Sequence, residues 1–312
     1  MKGLTQVVET HMCAQQWDQI NYSHVPSVAS SRYAKAFGRH DPVRYTEFKA
    51  SALKGVVKIN SHALYPYDVL KNVHEGDATT ALAQWENLPN YLGDAGFILP
   101  LVDTSGSMTA PVGGQKGSGI TCMDVAVSLG LYLADKQQGP FAHMFLNFDS
   151  HSKIHMLKGN LLEKMHQLKS CAWGGSTNLE SAFKEILRVA VLGQVPPDQM
   201  PRTLLVISDM GFNPHTGGMN HTAWQMVQHI YATHNYQVPQ IVWWNVAHAS
   251  GGYGGDRNYP VQDNQVGAAL VSGFSPSILK SVLSSKVITP WEIMLNTIQD
   301  ARYDAVQQAI MD

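Results

Sequence analysis

Apolar residues change their rhythm once along this chain. Up to about residue 92 they recur at three- and four-residue spacings, in SVASSRYAKAF (27–37), RYTEFKASALKGVV (44–57) and TTALAQWENLP (79–89). That is the period of helices with one buried stripe, and Asp41-Pro42 and LYPYDVL (64–70) punctuate it. From residue 97 to 273 continuous apolar runs alternate with amphipathic stretches. FILPLVD (97–103), RTLLVISD (202–209), QIVWWNVAH (240–248) and GAALVSGF (267–274) predict strands, the continuous runs among them covered on both faces. FAHMFLNFD (141–149) and SKIHML (152–157) predict two more, joined by a tight turn near Ser150. The stretches 121–137, 160–168, 177–192 and 222–235 predict helices, the third started by Thr177 or Asn178 as cap, with two further helices expected at 276–284 and 290–310. Alternation of this kind predicts an α/β fold: a doubly wound, mostly parallel sheet with helices on both faces. The expected organisation is a helical segment over 1–92 followed by an α/β domain over 93–312 that ends in a helix.

Composition narrows the partners. With 312 residues, 44% hydrophobic and 15% charged, the chain can bury a sizeable core. A net charge of −2 offers no bulk basic surface for nucleic acid or an anionic membrane. Cys13, Cys122 and Cys171 are odd in number and far apart, which suits a reducing compartment. The first residues, MKGLTQVVETHMCAQQW, hold no long apolar run, and no stretch approaches membrane-spanning length. The expected setting is cytoplasmic, in a cell or an infected cell, or in a virion.

Chemistry enters at the strand ends. Ligands of open α/β sheets bind outside the carboxyl ends of the strands, and two strands here end in aspartate, Asp103 and Asp209. After Asp103, Ser105 and Ser107 follow at alternate positions and point the same way in an extended loop, with Gly106 relieving the turn. Between the two aspartates, CAWGGSTNLESAF brings Thr177 to the start of a helix. Asp103, Ser105, Ser107, Thr177 and Asp209 together offer an all-oxygen shell for a hard cation: Mg²⁺ first, Mn²⁺ or Ca²⁺ as alternatives. Five side chains around six positions leave one for an acidic group of a partner.

DTSGS, followed in order by a loop threonine and a strand-end aspartate, resembles the metal-ion-dependent adhesion site of von Willebrand factor A domains, over about 97–285. KINSHALYPYDVL, CAWGGSTNLESAF, ISDMGFN and GAALVSGFSPSIL are similar to a group of plant, bacterial and viral proteins that join a helical segment to such a domain, as the Ro ribonucleoprotein autoantigen does. The resemblance implies a vWA, Rossmann-like sheet, a truncated Ro-like (TROVE-like) helical segment, and metal-dependent binding of a protein ligand without catalysis. RNA is the second partner class it implies. Only about 90 residues stand where the Ro family carries a ring of helical repeats that holds RNA, so binding by such a ring does not carry over. A third reading is a structural subunit of a viral particle or other assembly.

Other signals are weaker. VDTSGS has one serine too many for an aspartic-protease loop, and no second such loop is present to form a dyad. GGQKGSG (113–119) and SGGYGGDR (250–257) lack Gly-Lys-Ser/Thr at phosphate-loop spacing and are expected as rims of the site, where Lys116 and Arg257 could touch an anionic partner. His151, His155 and His166 lack the cysteines or general-base glutamate of a zinc centre. Trp243 and Trp244 are expected to pack on the two faces of a core strand. Ile293, Ile298, Ala301, Ala305 and Ile310 form the expected docking stripe of the last helix.

Overall fold

The computed structural model describes residues 7–61, 64–92, 97–112, 120–147, 151–171, 178–209, 221–247, 268–272, 291 and 294–295. By backbone contacts the chain divides into two compact units, Met1–Pro89 with Asn160–Leu162, and Asn90–Gly159 with Glu163–Asp312.

The first unit is helical: α1 (Val8–Cys13), α2 (Ser27–His40), α3 (Pro42–Leu53), α4 (Pro66–His74) and α5 (Ala78–Glu86). Pro42 opens α3 at its first turn, where the missing amide proton costs nothing. Asp77 caps α5 by accepting the Thr80 N–H at 3.3 Å. An aromatic cluster forms the core, with Tyr22 and Tyr45 centroids 5.1 Å apart and Phe37 and Tyr45 at 5.4 Å. The one sequence expectation that fails here is LYPYDVL as punctuation. Pro66 starts α4, Asp68 accepts the Tyr65 N–H at 2.9 Å, and Val69 and Leu70 are buried. Proline breaks a helix interior but suits its first turn, and this stretch is too short to display a helical period.

The second unit is an α/β sheet. Its elements are β1 (Ile98–Val102), α6 (Cys122–Lys136), β2 (Met144–Asn147), β3 (Ile154–Met156), all but the first two residues of α7 (Leu161–Ser170), α8 (Leu179–Leu192), β4 (Thr203–Ser208), α9 (His221–Thr233), β5 (Gln240–Asn245) and β6 (Ala268–Ser272). The strand order is β3-β2-β1-β4-β5-β6, parallel except for the antiparallel β2–β3 pair at one edge. In register, Leu101 lies beside Val206 and Val102 beside Ile207. Every residue of β1 and β4 is buried, as their continuous apolar runs require.

Side chains alternate between two covered faces. Leu99, Leu101, Leu204, Val206 and Trp243 form one core with Ala182, Phe183 and Ile186 of α8 and Val227 and Tyr231 of α9. On the opposite face α6 approaches so closely that a Cβ at Gly130 would stand 2.5 Å from Cγ2 of Val102. Trp243 and Trp244, neighbours on β5, are both fully buried. The expected helices at 276–284 and 290–310, including the stripe from Ile293 to Ile310, lie outside the described residues apart from isolated helical positions at 291, 294 and 295.

Candidate functional site

The sheet reverses direction of growth at β1. The chain runs from β1 outward through β2 to β3, then returns across β1 to lay down β4, β5 and β6 on its other side. The switch point is therefore the gap beyond the carboxyl ends of β1 and β4, where ligands of doubly wound sheets bind. Asp103 is the first residue past β1 and Asp209 the first past β4. The Asp103 N–H donates to the Ile207 carbonyl at 2.9 Å, which continues the ladder to the rim and fixes the aspartate beside its counterpart strand.

The loop after β1 folds tightly around Asp103. The Ser105 N–H donates to Asp103 Oδ1 at 2.9 Å, and a 3-10 turn follows over Gly106–Thr109. The hydroxyls of Ser105 and Ser107 lie 3.0 Å apart. Ser105 is half-buried and Ser107 exposed, whereas Asp103 and Asp209 are only 3% and 8% exposed. From β4, the Ser208 hydroxyl donates to Asp103 Oδ2 at 2.6 Å. In return, fully buried Met108 accepts the Asp209 N–H on its Sδ at 3.1 Å. Thr104 is buried, and its Oγ1 has no hydrogen-bond partner among the described residues.

Burial is the main cause that raises the Asp103 carboxyl above its ordinary value, and the nearby Asp209 charge adds to it; Ser208 and the Ser105 backbone and hydroxyl oppose. Two carboxylates that repel each other at a buried rim, beside two hydroxyls, form a donor set that fits a hard divalent cation. Among the described residues no group of three or more His, Cys, Asp or Glu could hold a metal.

The structure thus brings together Asp103, Ser105, Ser107 and Asp209. Thr177, Lys116 and Arg257 lie outside the described residues. Of the two cap candidates for α8, Asn178 takes the position, accepting the Ser181 N–H at 3.0 Å. Asp124 belongs to a capping box with Thr121, and Glu180 pairs with Lys184 at 2.6 Å. His155 stacks on Phe145, and burial holds its imidazole below the ordinary value. Ser208 and Met108 are the site residues that sequence reasoning missed. They stand directly against its motifs, one before Asp209 and one after DTSGS.

Comparison with known proteins adds the following. A family model described as a domain of unknown function (DUF7788) matches residues 98–310, and a second such description (DUF2828) matches residues 1–97. "Uncharacterized protein L728" of Acanthamoeba polyphaga mimivirus is 28% identical over 318 residues, covering 96% of this chain and 53% of that protein. The chain therefore spans about half the length of the curated relative it matches. Among solved structures, the Deinococcus radiodurans RO (RSR) protein aligns with a TM-score of 0.51 at 15% identity, over 90% of this chain and 61% of that one. The manganese-loaded Plasmodium vivax TRAP protein aligns with a TM-score of 0.35 at 16% identity, over 62% of this chain and 74% of that one.

Proposed function

The chain belongs to the family described as a domain of unknown function (DUF7788), and from that premise we propose that it is a metal-dependent binding module of the von Willebrand A kind, not an enzyme. Asp103, Ser105, Ser107 and Asp209, with Thr177, hold Mg²⁺, or Mn²⁺ or Ca²⁺ in its place, directly or through water. The bound cation supplies a positive charge with an open position, which a carboxylate of a protein partner fills. The chain's own part is to hold the donors at the rim, bury the two carboxylates and keep the serine side open to an incoming acidic side chain. The observation that carries this reading is the meeting of Asp103 and Asp209 at the switch point between β1 and β4. The order of DTSGS, Thr177 and Asp209 along the chain supports it, as does the shared fold with the RO (RSR) protein.

Calorimetry with Mg²⁺ and Mn²⁺ on the wild type and Asp103→Ala tests it. The wild type is expected to bind either cation, and the variant to lose about a hundredfold in affinity or more. Equal affinities end the proposal. Capture of a partner from the native source should likewise disappear in EDTA.

A second reading, an RNA-associated protein, draws on the extent of the Ro likeness, which spans 90% of this chain and so reaches the helical unit. The net charge of −2 speaks against it. Salt-sensitive retention of structured RNA on a filter would favour it over the first.

A further inference from the structure

Two hydrogen bonds, both donated from the β4 side and accepted on the β1 side, tie the two strand ends together. Ser208, the last residue of β4, reaches across to Asp103 Oδ2 at 2.6 Å. Met108, carried by the loop after β1, reaches back to the Asp209 N–H at 3.1 Å. Both side chains are fully buried beneath the rim. Ser208 spends its proton on Asp103, and a thioether is too soft to ligate a hard cation.

We propose that Ser208 and Met108 are positioning residues that fix the aperture of the site and make it prefer Mg²⁺ to Ca²⁺; this rests on the metal-binding reading above. Mg²⁺ demands near-octahedral oxygen ligands at about 2.1 Å, whereas Ca²⁺ takes six to eight at roughly 2.3–2.6 Å and readily accepts a carboxylate through both oxygens. Both oxygens of Asp103 already accept a bond, Oδ1 from the Ser105 amide and Oδ2 from Ser208. One acceptor position on each oxygen is taken and the carboxylate plane is pinned, which favours single-oxygen ligation. Met108 ties the Asp209 backbone to the loop that carries Ser105 and Ser107, so the ring of oxygens resists widening. Selection between the two cations is a matter of cavity size and rigidity, and both bonds act on those quantities.

The test compares Mg²⁺ and Ca²⁺ affinities by calorimetry in the full chain, for the wild type, Ser208→Ala, Met108→Leu and Asp103→Ala, with the melting temperature of each in EDTA. Ser208→Ala and Met108→Leu should lose about tenfold or more in Mg²⁺ affinity and much less for Ca²⁺, so the Mg²⁺:Ca²⁺ preference falls. A merely structural role would lower the melting temperature in EDTA and weaken both cations alike; an unchanged preference in both variants overturns the proposal. Met108→Leu, which keeps the packed volume, decides the matter if Ser208→Ala does not fold. Should Asp103→Ala bind cations as the wild type does, the site itself is misplaced and the aperture proposal falls with it. Loss confined to the preference leaves the site standing.

Discussion

Asp103 is 3% exposed at the end of a strand buried on both faces, and burial together with Asp209 raises its carboxyl above the ordinary 3.8. The sign of the consequence follows from linkage. Between the unfolded and folded values the native state keeps a proton that the unfolded state has released, so stability falls as pH rises through that window and stays lower above it. In EDTA at pH 7, Asp103→Asn is therefore expected to melt above the wild type, because the amide carries no charge. Its oxygen can still accept from Ser105, and the Ser208 hydroxyl can turn to accept from its nitrogen. The gap should close as pH approaches 3.8, and a divalent cation should reverse the ranking. Differential scanning fluorimetry reads all three, and a wild type that melts higher in EDTA at pH 7 would contradict them. The acceptor oxygens of this site are written in the sequence, since DTSGS and VISD name their residues at short range. The roles of Ser208 and Met108 are not, because each exists only through a bond that spans 105 or 101 positions.

At the level of elements, one edge of the sheet is the three-residue strand β3. The Ile154 N–H donates to Glu185 Oε1 of α8 at 3.3 Å, and Arg188 donates to both oxygens of the same carboxylate at 2.6 and 2.8 Å. The Arg188 hydrogen bond is the main cause that holds the Glu185 carboxyl below its ordinary 4.5. The stability it contributes is present above 4.5 and is lost as pH falls through the lowered value. Glu185→Ala should weaken this tie by about 1 kcal/mol, read as roughly fivefold faster amide exchange at Ile154 with β1 and β4 unchanged. No change at Ile154 would show that the side chain does not hold the edge. The long strands were legible because burial on both faces writes an unbroken apolar run, as in ILPLV and TLLVIS. Helix α4 was not, since nine residues opened by a proline look like a break until Val69 and Leu70 are seen packed.

For the whole molecule, Asp103, Ser105, Ser107 and Asp209 all fall within the one unit Asn90–Gly159 with Glu163–Asp312. A fragment of residues 90–312 is expected to keep the Mg²⁺-induced rise in melting temperature, and loss of that rise in a folded fragment would give the helical unit a share in the site. Strand order could not be read from the sequence, because apolar periodicity marks strands without saying which lie side by side. That order has a consequence during synthesis. A ribosome that has delivered DTSGS has delivered half a rim, and the answering half emerges only about a hundred residues later. Closing so long a loop comes late in folding for reasons of chain entropy. On the metal-binding proposal, a chain halted between Met108 and Ser208 would carry one side of the rim alone, with nothing complete for a partner to dock on.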